Sequence, residues 1–235
     1  MPLALRHAEL RIQADKVWLD AFLSFAPDVR GLVICAVPHR VSLRESRDAL
    51  LCDVLEKTGF ATLLLSLLTP QEERRDPDLR FNIALISQRL AAVQTWIDHQ
   101  PGMAERPLAL IASHTVAAGA VRLIQQAPTR YAALISKAGR LDLAGVAPLR
   151  QLQTPTLVLL PGAEPDLLAP SQPALKLLSG PRQIVEIPAA SADFIEPGTL
   201  DAAAQACRQW LEAHIPALPP ATQTVAATVA ATPAS

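Results

Sequence analysis

The sequence predicts an α/β protein: a mostly parallel central sheet flanked by helices, with an antiparallel hairpin at its N-terminal end. Three observations carry this. Residues 31–37, 60–68, 107–112, 131–137 and 156–161 are short continuous apolar runs, the pattern of strands buried on both faces. Segments with apolar residues at helical spacing separate them, and that alternation demands parallel strands joined by crossover helices. Residues 8–14 and 17–25 instead alternate apolar with polar around a short turn, as a hairpin at a sheet edge does.

Taken in order, the first buried strand, 31–37, precedes a helix over 42–58 that carries Leu43, Ala49, Leu50, Val54 and Leu55 at helical spacing. Gly59 stands where a left-handed cap would end it. The strand 60–68 follows. Residues 69–78 are charged and contain Pro70 and Pro77, which reads as an exposed loop in which 71–76 is a solvated charge run. A long amphipathic helix is expected over 79–99, a third strand over 107–112, and a helix over 115–126. In that helix Val116, Ala117, Ala118, Gly119 and Ala120 are small enough for close packing against the sheet. The strand 131–137, the strand 156–161, a helix near 170–178, the strand 183–187 and a helix over 198–213 complete the series. One domain is therefore expected over residues 1–216, with 217–235 a flexible tail of Ala, Thr, Pro and Val.

Composition bounds the function. Half of the 235 residues are apolar and 18% are charged, which suits a sheet covered on both faces. A net charge of -1 gives no electrostatic basis for a nucleic-acid or anionic-membrane partner. Residues 1–11 lack the apolar core of a signal peptide and no run reaches membrane-spanning length, so the expected location is cytoplasmic. Cys35, Cys52 and Cys207 are odd in number, widely spaced and without C-x-x-C pairing, which reads as reduced core thiols. No metal constellation emerges from the spacing of His, Cys, Asp and Glu, and no cofactor is expected.

Several phrases carry a family resemblance: Arg30-Gly-Leu-Val-Ile, Gly59-Phe-Ala-Thr-Leu-Leu-Leu, Leu67-Leu-Thr-Pro, Leu79-Arg-Phe-Asn-Ile, Gly139-Arg-Leu-Asp-Leu-Ala-Gly, Pro155-Thr-Leu and Glu196-Pro-Gly. In this order they resemble the dienelactone-hydrolase-like branch of the α/β-hydrolase superfamily, from about residue 8 to residue 215. The resemblance implies the α/β-hydrolase fold. It also implies a nucleophile on a strained turn between strand and helix, written G-x-S-x-G.

The stretch that resembles this turn is Ile111-Ala112-Ser113-His114-Thr115, with Ser113 at the vestigial nucleophile position and both glycines replaced by β-branched residues. The segment resembling the oxyanion loop is Val37-Pro38-His39-Arg40-Val41; it has no glycine, and Pro38 has no N–H to donate. Ala192 stands at the lost base position, and no histidine occurs between Thr115 and Ala213. Glu164 falls at the vestigial acid position, with Asp166 two residues on. Without an adjacent base a serine hydroxyl is a weak nucleophile, so the ordinary triad cannot form.

No catalytic residue is therefore expected. Val37, Pro38, His39, His114, Lys137 and Asp166 are the candidates for lining a ligand cleft, with Arg140 and Asp142 either holding an anion or pinning their loop. The leading expectation is a degenerate hydrolase homologue that binds a small ligand, a partner protein or an active homologous subunit. Its rivals are a residual serine esterase or lactonase using Ser113 with His39 as imported base, and a structural or assembly role marked by an exposed apolar patch. His114 reads here as a surface histidine at a helix start, and Cys35 as an inert buried thiol.

Overall fold

The structure, a computed structural model, describes residues 4–39 and 42–217. The expected tail therefore lies, from residue 218 on, outside the described residues. Among the described residues eight strands form one sheet: β1 (Arg6–Ala14), β2 (Val17–Phe25), β3 (Leu32–Val37), β4 (Ala61–Ser66), β5 (Leu108–Ser113), β6 (Tyr131–Lys137), β7 (Thr156–Pro161) and β8 (Arg182–Ile187). Their order across the sheet is β1-β2-β4-β3-β5-β6-β7-β8. β1 and β2 are the antiparallel edge hairpin, β2 joins β4 antiparallel, and every pair from β4 to β8 is parallel.

The helices are α1 (Arg47–Glu56), α2 (Pro70–Arg75), α3 (Ile83–Asp98), α4 (Val116–Gln126), α5 (Val146–Gln151), α6 (Pro165–Leu177) and α7 (Thr199–His214). One apolar core joins a sheet face to α3, α4, α5 and α6, and a second joins the other face to α1 and α7. This two-sided cover is why the six residues of β3, β4, β5 and β7 are all buried and read as unbroken apolar runs. Parallel strands end together, so the loops after β3, β5, β6, β7 and β8 gather at one end of the sheet, where ligands of open α/β folds bind.

The structure corrects the expectation of a loop over residues 69–78. Thr69 caps α2: its hydroxyl accepts from Glu72 N–H while the Glu72 carboxylate accepts from Thr69 N–H. Pro70 occupies a first-turn position where no backbone donor is missed. A 3-10 turn over Pro77–Phe81 follows, so α3 starts at Ile83, capped by Asn82, rather than at residue 79. Glu72 also pairs with Arg89, which is buried on α3 and donates to Leu67 O. This tie holds the charged segment against the body of the domain.

Two short elements, a 3-10 turn over Leu141–Ala144 and α5, had no counterpart in the sequence reading. Helix α6 begins at Pro165, earlier than expected, and accommodates Pro170 and Pro173 inside it. The small residues of α4 serve a helix contact besides the sheet: a Cβ on Gly119 would overlap Ile86 Cγ2 of α3. Cys35, Cys52 and Cys207 are free and buried in the same core, where burial raises the Cys207 thiol to about 12.

Candidate functional site

The turn between β5 and α4 is the structural counterpart of the family's nucleophile elbow, and its apex is His114. β5 ends at Ser113, which lies opposite Lys137 of β6 and is only 1% exposed. His114 then takes φ 53°, a conformation that costs a non-glycine residue about 1–3 kcal/mol. Three backbone hydrogen bonds hold it there. His114 N–H donates to Lys137 O at 3.2 Å, and His114 O accepts from Ala117 N–H at 3.2 Å and Arg140 N–H at 3.0 Å.

This corrects two expectations. A strained elbow lifts its apex side chain above the sheet, and the residue so lifted is His114, not Ser113. His114 is accordingly no ordinary surface histidine: its side chain is 26% exposed and lines the cleft above the strand ends. Ser113 remains in the strand below. In this register the small flanking positions of the elbow fall on Ala112 and Val116.

The cleft has a volume of about 430 Å³ and is bounded by Pro38 and His39 after β3, His114 and Thr115 at the elbow, Arg140 after β6 and Leu167 on α6. Asp193 closes it from the loop before α7, and Glu73, Arg80 and Phe81 from the segment between β4 and α3. His114 Nε2 lies 3.6 Å from Asp193 Oδ1. His39 Nδ1 donates to Leu68 O at 3.3 Å, which turns that ring toward its own loop. Thr115 Oγ1 is buried with no hydrogen-bond partner among the described residues.

Glu164 and Ala192, the expected acid and lost base positions, are neighbours: Glu164, the residue before α6, accepts from Ala192 N–H at 3.3 Å, and Ala192 offers only a methyl group. Asp193, one residue further, faces the elbow, and the sequence reading missed it because an aspartate is not the residue type sought at that position.

Of the six residues expected to line the cleft, Pro38, His39 and His114 do so. Val37 does not, because it is buried within β3. Asp166 does not, because it is exposed on the first turn of α6, where Leu167 is the residue that turns inward. Lys137 is buried beneath the site: its Nζ lies 3.1 Å from Asp48 Oδ1 and 5.2 Å from the centre of the Phe194 ring. Arg140 lines the cleft but is held by Asp142 in a two-pronged pair at 2.9 and 2.7 Å. That pair, with the adjacent carboxylate, keeps the guanidinium above its ordinary range despite partial burial.

Among the described residues no helix is long and apolar enough to cross a membrane, and no cluster of three or more His, Cys, Asp or Glu is placed to hold a metal ion.

The fold and the site can be compared with known proteins. No family model matches the chain. Two Mycobacterium tuberculosis proteins, from strains H37Rv and CDC 1551, are provisionally named phosphoribosyl transferase and are 33% identical over 211 residues. The match takes in 90% of this chain but 47% of theirs, so the chain spans about half the length of the curated relatives it matches. The crystal structure of dienelactone hydrolase from Anabaena variabilis superposes with a TM-score of 0.81 at 29% identity, covering 90% of this chain and 99% of that one. A dienelactone hydrolase-like promiscuous phosphotriesterase from metagenomic libraries superposes at 0.68 with 14% identity, over 90% of this chain and 99% of its own, which shows the shared fold alone. The chain belongs to the α/β-hydrolase superfamily, in its dienelactone-hydrolase-like branch.

Proposed function

We propose that this protein is a catalytically degenerate α/β-hydrolase that works by binding, with the cleft over the elbow as its ligand site. One observation carries the reading: the elbow presents His114 where a serine or cysteine would attack, while the acid Glu164 faces the backbone of Ala192 and no imidazole. The cleft itself is kept, with His39, His114 and Arg140 along its lining. The half-length match to the mycobacterial relatives supports a partner version of the same reading, in which this domain accompanies a phosphoribosyl-transferase-like protein.

Fluorophosphonate labelling followed by intact-mass measurement tests the proposal. The native chain is expected to stay unlabelled, and the His114→Ser/Ala192→His variant to gain one adduct by restoring nucleophile and base at their positions. An adduct on the native chain that vanishes in Ser113→Ala would overturn both the reading and the placement of the elbow apex.

A second reading is favoured by the 3.6 Å approach of Asp193 to His114. A carboxylate that orients an imidazole at an elbow apex makes a general base for a bound water. Steady hydrolysis of an activated ester that is lost in His114→Ala but kept in Ser113→Ala would establish it in place of the binding role.

A further inference from the structure

We infer that the free edge of β8 pairs antiparallel with β8 of a second copy of this chain, joining two sheets across a two-fold axis at Ile184. Among the described residues β8 is the last strand of the sheet and pairs only with β7. Thr156 N–H donates to Pro181 O at 2.9 Å and Gly162 N–H to Ile187 O at 3.0 Å, so the odd-numbered residues turn their backbone groups toward β7. In a strand the intervening residues turn theirs the opposite way. The N–H and C=O groups of Arg182, Ile184 and Glu186 therefore face outward, a template for a further strand.

The sequence of this edge is complementary to itself. An antiparallel ladder about a two-fold at Ile184 sets Ile184 opposite its own copy and Arg182 opposite the copy's Glu186, twice. All of these are outward-facing residues, as the directly hydrogen-bonded pairs of an antiparallel ladder must be. Shifting the centre by one residue either way, which still pairs outward with outward residues, sets Arg182 against Ile184 or Glu186 against Ile184 and forfeits both charge pairs. Opposite charges directly across a ladder stabilise it, whereas like charges oppose it.

Side chains fit the same register. Arg182, Ile184 and Glu186 project from one face of β8, and Ile184 is 45% exposed, an apolar centre between two charges. Arg182 already donates one guanidinium N–H to Leu178 O at 2.7 Å, which leaves further donors for the copy's carboxylate. Pro188 stands at the next outward position beyond Glu186 and has no N–H to extend the ladder, so the hydrogen-bonded pairing is confined to Arg182, Ile184 and Glu186. An interface built on so short a strand is smaller than a permanent one requires, which makes the expected dimer reversible on dilution.

Sedimentation velocity of the full chain, from micromolar to millimolar concentration, tests this. The native protein is expected to shift from monomer to dimer; Arg182→Glu is expected to stay monomeric, and Arg182→Glu/Glu186→Arg to recover the dimer with the charges exchanged. Opposed Ile184 residues stand about 5.5 Å apart at Cα, within the range that a disulfide spans. Ile184→Cys is therefore expected to cross-link on mild oxidation, and Gln183→Cys, which would face Val185 of the copy, to remain uncrosslinked; the native cysteines are buried and do not compete. A native chain that is monomeric throughout overturns the inference, whether residues 218–235 or nothing covers the edge. So does a dimer that Arg182→Glu leaves intact. Either result leaves the cleft reading standing, since labelling of the elbow does not depend on the state of β8.

Discussion

Lys137 with Asp48 and His114 with Asp193 both set a basic side chain against a carboxylate at the same end of the sheet, reached from adjacent strands, yet they do opposite work. The first pair is 2% and 3% exposed, 3.1 Å apart and roofed by Phe194. The second is 26% and 54% exposed and spans the mouth of the cleft at 3.6 Å. Phe194 takes φ 54° in the loop that carries Ala192 and Asp193, so the buried pair lies directly under the loop that supplies one wall of the cleft. A desolvated pair must be kept matched or the domain suffers, whereas a wet pair can be altered with little effect on stability. The lesson is that the lysine set in the strand, Lys137, is a foundation of the core, whereas the histidine at the strained turn lines the cleft.

The sharpest way to break this contrast is to unmatch the buried pair. Asp48→Ala should lower stability by about 3–5 kcal/mol in denaturant unfolding, because Lys137 would be left charged without its partner. The double variant Asp48→Leu/Lys137→Met should recover most of that loss. If the single variant costs little, the lysine has access to water and the distinction fails.

Next in size is the support behind the elbow. Gly119→Ala places a methyl where Ile86 already sits, and the resulting overpacking should cost about 1–3 kcal/mol in thermal or denaturant unfolding. A neutral result would mean that α3 and α4 can separate without consequence for the turn.

Glu72 with Arg89 is intermediate, since the arginine is buried and the glutamate partly exposed. Burial pushes the Glu72 carboxyl up, but Arg89 and the donors of Thr69 outweigh it and hold the group below the usual glutamate value. A carboxyl lowered in the folded state lends stability above its unfolded value of about 4.3, lost as pH falls through the lower folded value. Glu72→Gln should therefore reduce stability at neutral pH and flatten its decline on acidification below about pH 4.3. An unchanged acid limb would remove Glu72 from the account.

The smallest effect on stability should come from His114→Ala. Loss of a solvent-facing pair is worth about 0–1 kcal/mol, and the strain at φ 53° does not depend on the imidazole. A change well beyond that range would make His114 a structural residue like Lys137 and erase the difference between the two pairs.

Much of the fold was legible because a strand buried on both faces is mostly apolar along its length, which writes β3 to β7 into the chain without reference to anything distant. That no histidine lies between Thr115 and Ala213 was legible too, whatever the loops there do. The helix over residues 70–75 was legible in principle from Thr69 and Glu72 three residues apart, but the charge run and two prolines read as a loop. The elbow was misread by one residue because Ser113 has the chemistry expected of a nucleophile, whereas which residue becomes the apex is a matter of φ.

The α/β alternation, the edge hairpin, the buried thiols and the lack of any histidine between Thr115 and Ala213 follow from local pattern and residue identity, so the chain alone carried them. That His114 rather than Ser113 stands over the cleft, that Asp193 answers it, and that Lys137 belongs to the core with Asp48 emerged from the folded molecule. One cause underlies all three. A side chain's role depends on which way the backbone turns it and on what a residue scores of positions away in the chain brings against it, and neither is written in the local order of the residues.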